Sequence, residues 1–120
     1  MTRGSNDAAR PAALATDLRP KDLAELEANA SRACDVLKTI ANGARLLLVC
    51  QLAGGEKTVS DLQDAVGLSQ SSVSQHLALL RERHVVSPRR QGQSVYYRLA
   101  SPEVAALIKT LHDQFCTKRR

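Results

Sequence analysis

Residues 58–80 decide the predicted fold, and they read TVSDLQDAVGLSQSSVSQHLALL. Thr58 is a residue type that caps helix N-termini, and Asp61 follows at the third helical position, where its carboxylate can accept hydrogen bonds from free backbone N–H groups. This helix should end at Gly67, because glycine adopts the left-handed conformation of a helix C-terminus at low cost. Ser69 then caps a second helix that runs to about Glu82. The segment therefore predicts a helix-turn-helix.

The second of these helices has one apolar face and one uncharged polar face. Val73, Leu77 and Leu80 recur at the spacing of a buried helical stripe. The opposite face suits a DNA groove, because glutamine can pair with adenine through two hydrogen bonds and serine can bond base edges or phosphate. A purely structural pair of helices is the alternative, since helices joined by a glycine turn occur in many proteins that bind no nucleic acid. The predicted DNA-contacting residues on this helix are Ser69, Gln70, Ser71, Ser72, Ser74 and Gln75.

Composition narrows the class of protein further. The chain has 120 residues and a formal net charge of +5, which fits one basic domain that favours a polyanion. Its aromatic residues are two tyrosines and one phenylalanine, too few for stacking on single-stranded bases, so duplex DNA is the better polyanion. No apolar run approaches the roughly 18 residues of a membrane helix, and no secretion signal is evident. We therefore expect a cytoplasmic protein with no membrane partner.

Further helices are predicted on both sides of the helix-turn-helix. Apolar residues at helical spacing predict a long first helix from about Asp22 to residues 41–43. Residues 44–53, ARLLLVCQLA, predict a second helix that is apolar nearly all round and hence central to the core. Ser101 caps the last helix, whose apolar stripe ends at Phe115. The first and last helices carry more apolar surface than a small core can cover, which predicts a homodimer built from both.

A β-hairpin is predicted between the helix-turn-helix and the last helix. β-prone runs over residues 84–88 and 94–99 flank a charged turn around Arg89, Arg90, Gln91 and Gly92. In one interpretation the hairpin only closes the core. Directly after a helix-turn-helix, however, it is typical of a wing that lays Arg89 and Arg90 against phosphates or into the minor groove.

The predicted fold class is mainly α with a small β-hairpin, a dimeric winged helix-turn-helix in the order α-α-α-α-β-β-α. Its predicted boundaries are a mobile N-terminal arm over residues 1–20, the winged helix-turn-helix domain over residues 21–117 and a basic tail over residues 118–120.

Residues 37–99 resemble the ArsR/SmtB family of bacterial winged-helix repressors, and the likeness continues to Cys116. The motifs that carry it are LSQSSVSQHLALLR, GQSVYYRL and the opening AN-x-x-R-L of the second helix. The resemblance implies that the glutamines and serines of the second helix of the helix-turn-helix contact the major groove, and that the hairpin is a wing. It also implies a duplex operator with an imperfect inverted repeat, whose half-sites lie about 34 Å apart.

Many members of that family bind metals, but this sequence lacks their two ligand patterns. The first helix of the helix-turn-helix begins TVSDL without a cysteine pair, and the last helix has His112 without an Asp-x-His partner. His112 and Cys116 lie four residues apart on one helical face, so a metal site completed by a partner chain is an alternative. We predict no metal and no cofactor.

Cys50 and Cys116 are placed as in the HlyU/BigR/SqrR branch of the family, which senses persulfides and polysulfides. The resemblance implies that one thiolate attacks a sulfane sulfur and that the second cysteine closes a disulfide or polysulfide bridge, after which the operator is released. The basic tail favours a thiolate at Cys116, which makes it the candidate for first attack. Without the resemblance, Cys50 would be interpreted as a core residue, because free cysteine is often buried. Cys34 is expected to take no part in sensing.

The leading prediction is a DNA-binding transcriptional repressor, not an enzyme, that a persulfide or polysulfide inducer releases from DNA. Alternatives within the same class are a regulator that responds to peroxide, another oxidant or a metal, and an anti-silencing activator. A thiol enzyme is disfavoured because the sequence shows no recognisable pattern of a catalytic cysteine, histidine and acidic residue. The alternative from a different class is a non-specific DNA-packaging protein, which would bind DNA independently of its sequence.

Overall fold

A computed structural model of the protein describes residues 14–116, which form six helices and a three-stranded sheet. The chain divides after Arg32 into two compact units. Residues 1–13 of the predicted arm and the predicted basic tail lie outside the described residues. The elements are α1 (Pro20–Ala28), α2 (Ala30–Ile40), α3 (Gly43–Ala53), β1 (Lys57–Thr58), α4 (Val59–Val66), α5 (Gln70–Glu82), β2 (Val86–Gln91), β3 (Ser94–Leu99) and α6 (Pro102–Phe115).

The predicted long first helix is interrupted at Asn29, so it forms α1 and α2 instead. The backbone N–H of Asn29 donates to the carbonyl oxygens of Glu25 at 3.2 Å and Leu26 at 3.0 Å, and its side-chain amide also donates to the Glu25 carbonyl at 2.9 Å. Asparagine breaks helices in this way because its side chain competes for backbone hydrogen-bonding groups. The apolar spacing continues across the interruption, which is why the sequence predicted one helix.

The helix-turn-helix has the caps that the sequence predicts. The Thr58 hydroxyl accepts from the Asp61 N–H at 3.1 Å and the Asp61 carboxylate accepts from the Thr58 N–H at 3.1 Å, so the two residues form a capping box at the start of α4. Gly67 ends α4 in the left-handed conformation, at φ 71°. The Ser69 hydroxyl then accepts from the Ser72 N–H at 3.1 Å and caps α5, which we call the recognition helix.

The hydrophobic core packs against the inner side of the recognition helix. The predicted buried stripe is confirmed, since Val73, Leu77 and Leu80 are at most 1% exposed. The other buried apolar residues are Ile40, Leu48, Val49, Leu52, Leu62, Val85, Val86, Val104 and Ile108. The core therefore holds the recognition helix from behind and leaves its polar face in solvent.

Helix α3 contributes three residues to the core, as its apolar sequence predicts, but it is only partly buried. Leu48, Val49 and Leu52 face the core, whereas Leu47 is 54% exposed and Cys50 is exposed too. A domain of this size has too few helices to cover every side of one of them. The alternative interpretation of Cys50 as a core residue is therefore wrong.

The sheet is antiparallel with the strand order β1-β3-β2. Strand β1 was missed by the sequence analysis, because a strand of two residues has no alternating pattern to detect. It pairs Lys57 with Tyr97 and Thr58 with Tyr96. Thr58 thus belongs both to the sheet and to the cap of α4.

The wing hairpin, residues 86–99, differs from the predicted hairpin in its first strand. Strand β2 extends through Arg89 and Arg90 to Gln91, which pairs with Ser94. The turn is the following pair of residues, 92–93, and Gly92 has the positive φ of 62° that such tight turns require. The prediction of a turn at the arginines is therefore wrong, and both arginines are strand residues.

His84 ends the recognition helix instead of beginning the strand that the sequence predicted. It has a φ of 63°, a left-handed conformation that a strand does not contain. Its N–H donates to the Arg81 carbonyl at 3.0 Å, and the Val85 N–H donates to the Leu80 carbonyl at 2.8 Å. These bonds close the helix C-terminus, where glycine is the usual left-handed residue and histidine gives no such signal.

No single helix among residues 14–116 has the length and apolarity needed to span a membrane. Helices α2 and α3 would meet the requirement only as a pair, and the pair is bent by 93°. The second member of the pair buries Leu48, Val49 and Leu52 in the core, so its apolar character is that of a core helix.

Candidate DNA interface and cysteine groove

The recognition helix presents an exposed polar face. Gln70, Ser71, Ser74 and Gln75 all lie on it and are exposed, opposite the buried stripe. Four of the six DNA-contacting residues predicted on this helix are therefore free of the core. They form a surface of uncharged hydrogen-bonding groups, which suits base edges more than a lone phosphate.

The remaining two serines of the prediction are joined by the N-cap hydrogen bond of the recognition helix. The Ser69 hydroxyl oxygen accepts from the Ser72 N–H, and the Ser72 side chain is half-buried. The hydroxyl hydrogen of Ser69 is still a donor for an outside acceptor such as a phosphate. Ser69 therefore combines a capping role with an exposed position at the start of the recognition helix.

A polar groove of about 460 Å³ connects the recognition helix with the wing hairpin. Gln70 lines one side of it, and Ser94 of the hairpin lines the other. Ser60 and Gln63 of α4 contribute further polar groups, and neither was predicted as part of the site. Sequence reasoning missed these residues because three separate segments supply them, and only the pairing of β1 with β3 brings the segments together.

Arg89 has its guanidinium bound within the protein. Its Nε donates to both carboxylate oxygens of Glu56 at 3.1 Å, and its Nη2 donates to one of them at 2.6 Å. Its Nη1 donates to the side-chain oxygen of Gln91 at 2.6 Å, and the guanidinium carbon lies 5.0 Å from the ring centroid of Tyr96. The hydrogen bonds with Arg89 hold the pKa of Glu56 below its ordinary value, and those with Glu56 raise the pKa of Arg89.

Arg90 lies on the opposite face of β2, because successive side chains of a strand alternate. It pairs with Val95 and is exposed. Within residues 14–116, no side chain forms a hydrogen bond or an ion pair with the Arg90 guanidinium. A further exposed arginine of the wing, Arg98, donates from Nε to the Ser87 hydroxyl at 3.1 Å and was not singled out from the sequence.

Cys50 and Cys116 line a second groove, which we call the cysteine groove. It has a volume of about 1020 Å³, lies between α3 and α6, and has a mostly apolar wall that includes Ile108 and Phe115. Both thiols are free and exposed. Cys34 is also free and exposed but is not among the described residues that line the groove. The structure therefore brings together the two cysteines that the sequence analysis paired.

The two cysteines also interact electrostatically. Partial burial raises the pKa of the Cys50 thiol above its ordinary value, and the negative charge of a Cys116 thiolate raises it further. The second effect acts across the groove between the two thiols, and like any Coulomb interaction it weakens as the distance between them increases. A thiolate at Cys116 therefore disfavours a second thiolate at Cys50.

His112 lines the cysteine groove but belongs to a small ion-pair network on α6. Its Nδ1 lies 3.5 Å from one carboxylate oxygen of Asp113, and the other oxygen accepts from Lys109 at 2.9 Å. The hydrogen bond from Lys109, and then that from His112, lowers the pKa of Asp113. No group of three potential metal ligands occurs in the described part of the chain. The alternative metal site at His112 and Cys116 thus gains no third ligand there.

Comparison with known proteins places this architecture among bacterial regulators. Residues 42–87 match the sequence pattern of the bacterial regulatory proteins of the arsR family. The transcriptional activator HlyU of Vibrio cholerae is 43% identical over 97 residues, which span 81% of this chain and 90% of that protein. The solved structure of reduced HlyU from the same species has a TM-score of 0.72 and covers 77% of this chain and 97% of its own.

Two other solved structures show the same fold. The transcriptional repressor BigR from Xylella fastidiosa has a TM-score of 0.74 at 36% identity, with 78% of this chain and 96% of that chain covered. A homodimeric winged helix-turn-helix DNA-binding domain from Mycobacterium bovis has a TM-score of 0.63 at 30% identity, with 83% of this chain and 89% of that chain covered. These neighbours confirm the predicted fold class.

Proposed function

Because the chain belongs to the ArsR family of bacterial regulatory proteins, close to HlyU and BigR, we propose that it is a transcriptional repressor that a persulfide or polysulfide releases from DNA. That it is a DNA-binding transcriptional regulator follows from its family, so the proposal concerns the signal and the direction of control. The observation that carries it is that Cys50 on α3 and Cys116, the C-cap residue of α6, line the same groove.

The proposed chemistry needs only the two thiols and a persulfide donor, written RSSH. The Cys116 thiolate attacks the outer sulfur of the donor, so that Cys116 becomes a persulfide and RS⁻ leaves. The Cys50 thiolate then attacks the Cys116 sulfur and expels hydrosulfide. In sum, two thiols are oxidised to a disulfide and the outer sulfur of the donor is reduced to sulfide. If Cys50 has first taken a sulfane sulfur, the same displacement leaves one extra sulfur in the bridge.

A bridge between the two cysteines would tie α3 to α6. Helix α3 shares the core with the recognition helix, whereas Leu111 and Phe115 of α6 are 36% and 76% exposed. We infer that this exposed apolar surface packs against a second copy of the chain. A shift of α6 against α3 would then change the spacing of the two recognition helices, which weakens binding to paired half-sites.

The proposed DNA partner is a duplex operator with an imperfect inverted repeat, bound by a homodimer. The relative from Mycobacterium bovis is described as homodimeric, which supports the dimer. Gln70 and its exposed neighbours on the recognition helix would contact the major groove, and the wing would contact the flanking backbone. Such a regulator works on the chromosome, so we place it in the cytoplasm, with residues 21–117 as its DNA-binding domain.

Mass spectrometry of the full-length protein tests the sensing chemistry. After treatment with a polysulfide, we expect a peptide pair joined through Cys50 and Cys116, with a fraction that carries additional sulfur. The same treatment with peroxide should give no sulfur-inserted product. Equal response of DNA binding to both oxidants, or a bridge that involves Cys34 instead, would contradict the proposal.

The raised pKa of Cys50 predicts that bridge closure depends on pH. A raised pKa lowers the thiolate fraction at a given pH, so the rate of closure should increase as the pH rises towards that pKa, for example from about pH 6 to about pH 9. At the lower pH, a persulfide on Cys116 should accumulate before the bridge forms. Quenched reactions analysed by mass spectrometry would measure both species, with Cys50→Ser as the control that never closes. A closure rate that is independent of pH would rule out Cys50 as the slow thiolate.

A further inference from the structure

One cluster of side chains outside both grooves spans the whole sheet. Arg89 stands on β2, its cross-strand neighbour Tyr96 stands on β3, and Glu56 immediately precedes β1. Tyr96 pairs in turn with Thr58 of β1. The three side chains therefore stand on β2, on β3 and just before β1, and we call the set Glu56–Arg89–Tyr96 the wing clamp.

The wing clamp engages all three guanidinium nitrogens of Arg89 within the protein. Each of the three guanidinium nitrogens already donates a hydrogen bond, to Glu56 or to Gln91, and the guanidinium carbon lies over the Tyr96 ring. The arrangement matches the planar fork of arginine, which binds a carboxylate through two nitrogens and stacks on an aromatic ring at the same time. A phosphate could take the place of Glu56 only by breaking this set of contacts.

The wing clamp also connects two parts of the DNA-binding surface. Glu56 lies two residues before Thr58, which caps α4, the first helix of the helix-turn-helix. Arg89 lies on the wing hairpin, beyond the part of the sheet that packs on the core. A hairpin that projects from a sheet is free to bend and twist at its base unless cross-strand contacts fix it.

We propose that Arg89 is a positioning residue, which fixes the angle of the wing through Glu56 and Tyr96, and that Arg90 supplies the phosphate contact of the wing. The inference rests on the proposed contact between the wing and DNA. It assigns different roles to the two adjacent arginines because they lie on opposite faces of β2 and, among the residues that the structure describes, side chains bind Arg89 but not Arg90.

Whether a substitution of Glu56 weakens or strengthens DNA binding separates this proposal from the main alternative, in which Arg89 itself binds phosphate. If Arg89 positions the wing, Glu56→Gln breaks the clamp and weakens DNA binding, as Arg89→Gln does. If Glu56 instead competes with DNA phosphate for Arg89, Glu56→Gln removes the competing carboxylate and strengthens DNA binding. The exchanged pair Glu56→Arg with Arg89→Glu restores a clamp but places no arginine at position 89, so only a positioning role predicts rescue.

The experiment measures DNA affinity of the full-length protein by fluorescence anisotropy at several salt concentrations. The probe is a labelled duplex that the wild type selects from a random-sequence library. We expect Glu56→Gln and Arg89→Gln each to lower affinity by about threefold or more without adding to each other, because they break one contact. Neither should change the salt slope, because the loosened wing still brings Arg90 to phosphate in the bound state but must first be ordered. The exchanged pair should recover affinity.

Arg90→Gln is the matched control for the phosphate contact. It should reduce the slope of log affinity against log salt by about one, the amount expected for one lost phosphate contact. Thermal melting of each variant would establish that it is folded. Tighter binding by Glu56→Gln, or a salt slope that falls for Arg89→Gln and not for Arg90→Gln, would overturn the proposal. If the salt slopes are as expected but a persulfide donor does not release the wild type from DNA, the result would count against the proposed sensing function and not against the wing clamp.

Discussion

A Cys50→Ser variant should remain bound to DNA in the presence of a persulfide donor that releases the wild type. Serine has nearly the size of cysteine, and position 50 is exposed, so the substitution should leave the fold and the basal DNA affinity unchanged. Cys116 can still accept a sulfane sulfur in this variant, but no second thiol closes the bridge between α3 and α6. The wild type should lose about tenfold in affinity, within the usual range of coupling between a signal and a binding site.

The measurement is DNA binding by anisotropy before and after addition of the donor, followed by addition of a reductant. Cys116→Ser should be equally unresponsive. Cys34→Ser is the matched control, because Cys34 is also a free and exposed thiol but does not line the cysteine groove. It should release DNA like the wild type. Release by Cys50→Ser would show that a persulfide on one cysteine is sufficient, and the proposed bridge would have to be abandoned.

A Gln70→Ala, Gln75→Ala double variant should lose most of its preference for its operator. Both glutamines are exposed on the recognition helix, and each can make two hydrogen bonds to an adenine edge. The loss of such a pair typically costs about 1–3 kcal/mol, so each substitution should weaken specific binding by about fivefold or more. Binding to random duplex should change far less, since it depends mainly on charge.

Competition between the selected duplex and random duplex at fixed salt measures this preference. Gln51→Ala is a suitable control, because Gln51 is a half-buried glutamine on α3, outside both the recognition helix and the wing. The melting temperatures of both variants should stay close to that of the wild type. If the double variant kept the wild-type ratio of specific to random binding, the glutamines would not read the DNA sequence.

The features that the sequence predicted well are those determined within a few residues. The capping box of Thr58 and Asp61, the left-handed Gly67 and the cap at Ser69 each depend on side chains and backbone groups at most four positions apart. The buried stripe of the recognition helix follows from helical spacing alone. These local rules were sufficient to place the helix-turn-helix and its exposed polar face.

The features that the sequence did not predict depend on partners far along the chain. Glu56 binds Arg89, which lies 33 positions later, and Thr58 pairs with Tyr96. Neither partner can be found from periodicity, because a two-residue strand and a single ion pair leave no repeating pattern. The family resemblance implied that Cys50 and Cys116 act as a pair. The apolar groove between α3 and α6 that both cysteines line depends on tertiary packing, which the sequence pattern does not reveal.

Thr58 belongs to both the sheet and the N-cap of α4, and this limits how the DNA-binding domain can be recombined with those of other regulators. Because the same residue pairs in the sheet and caps α4, a chimera that exchanged only the hairpin would keep a foreign edge strand and lose its match to Tyr96. The smallest cassette that can be transplanted between regulators therefore runs from Glu56 to Leu99. Natural or engineered exchange of the wing should succeed at those boundaries and fail at tighter ones.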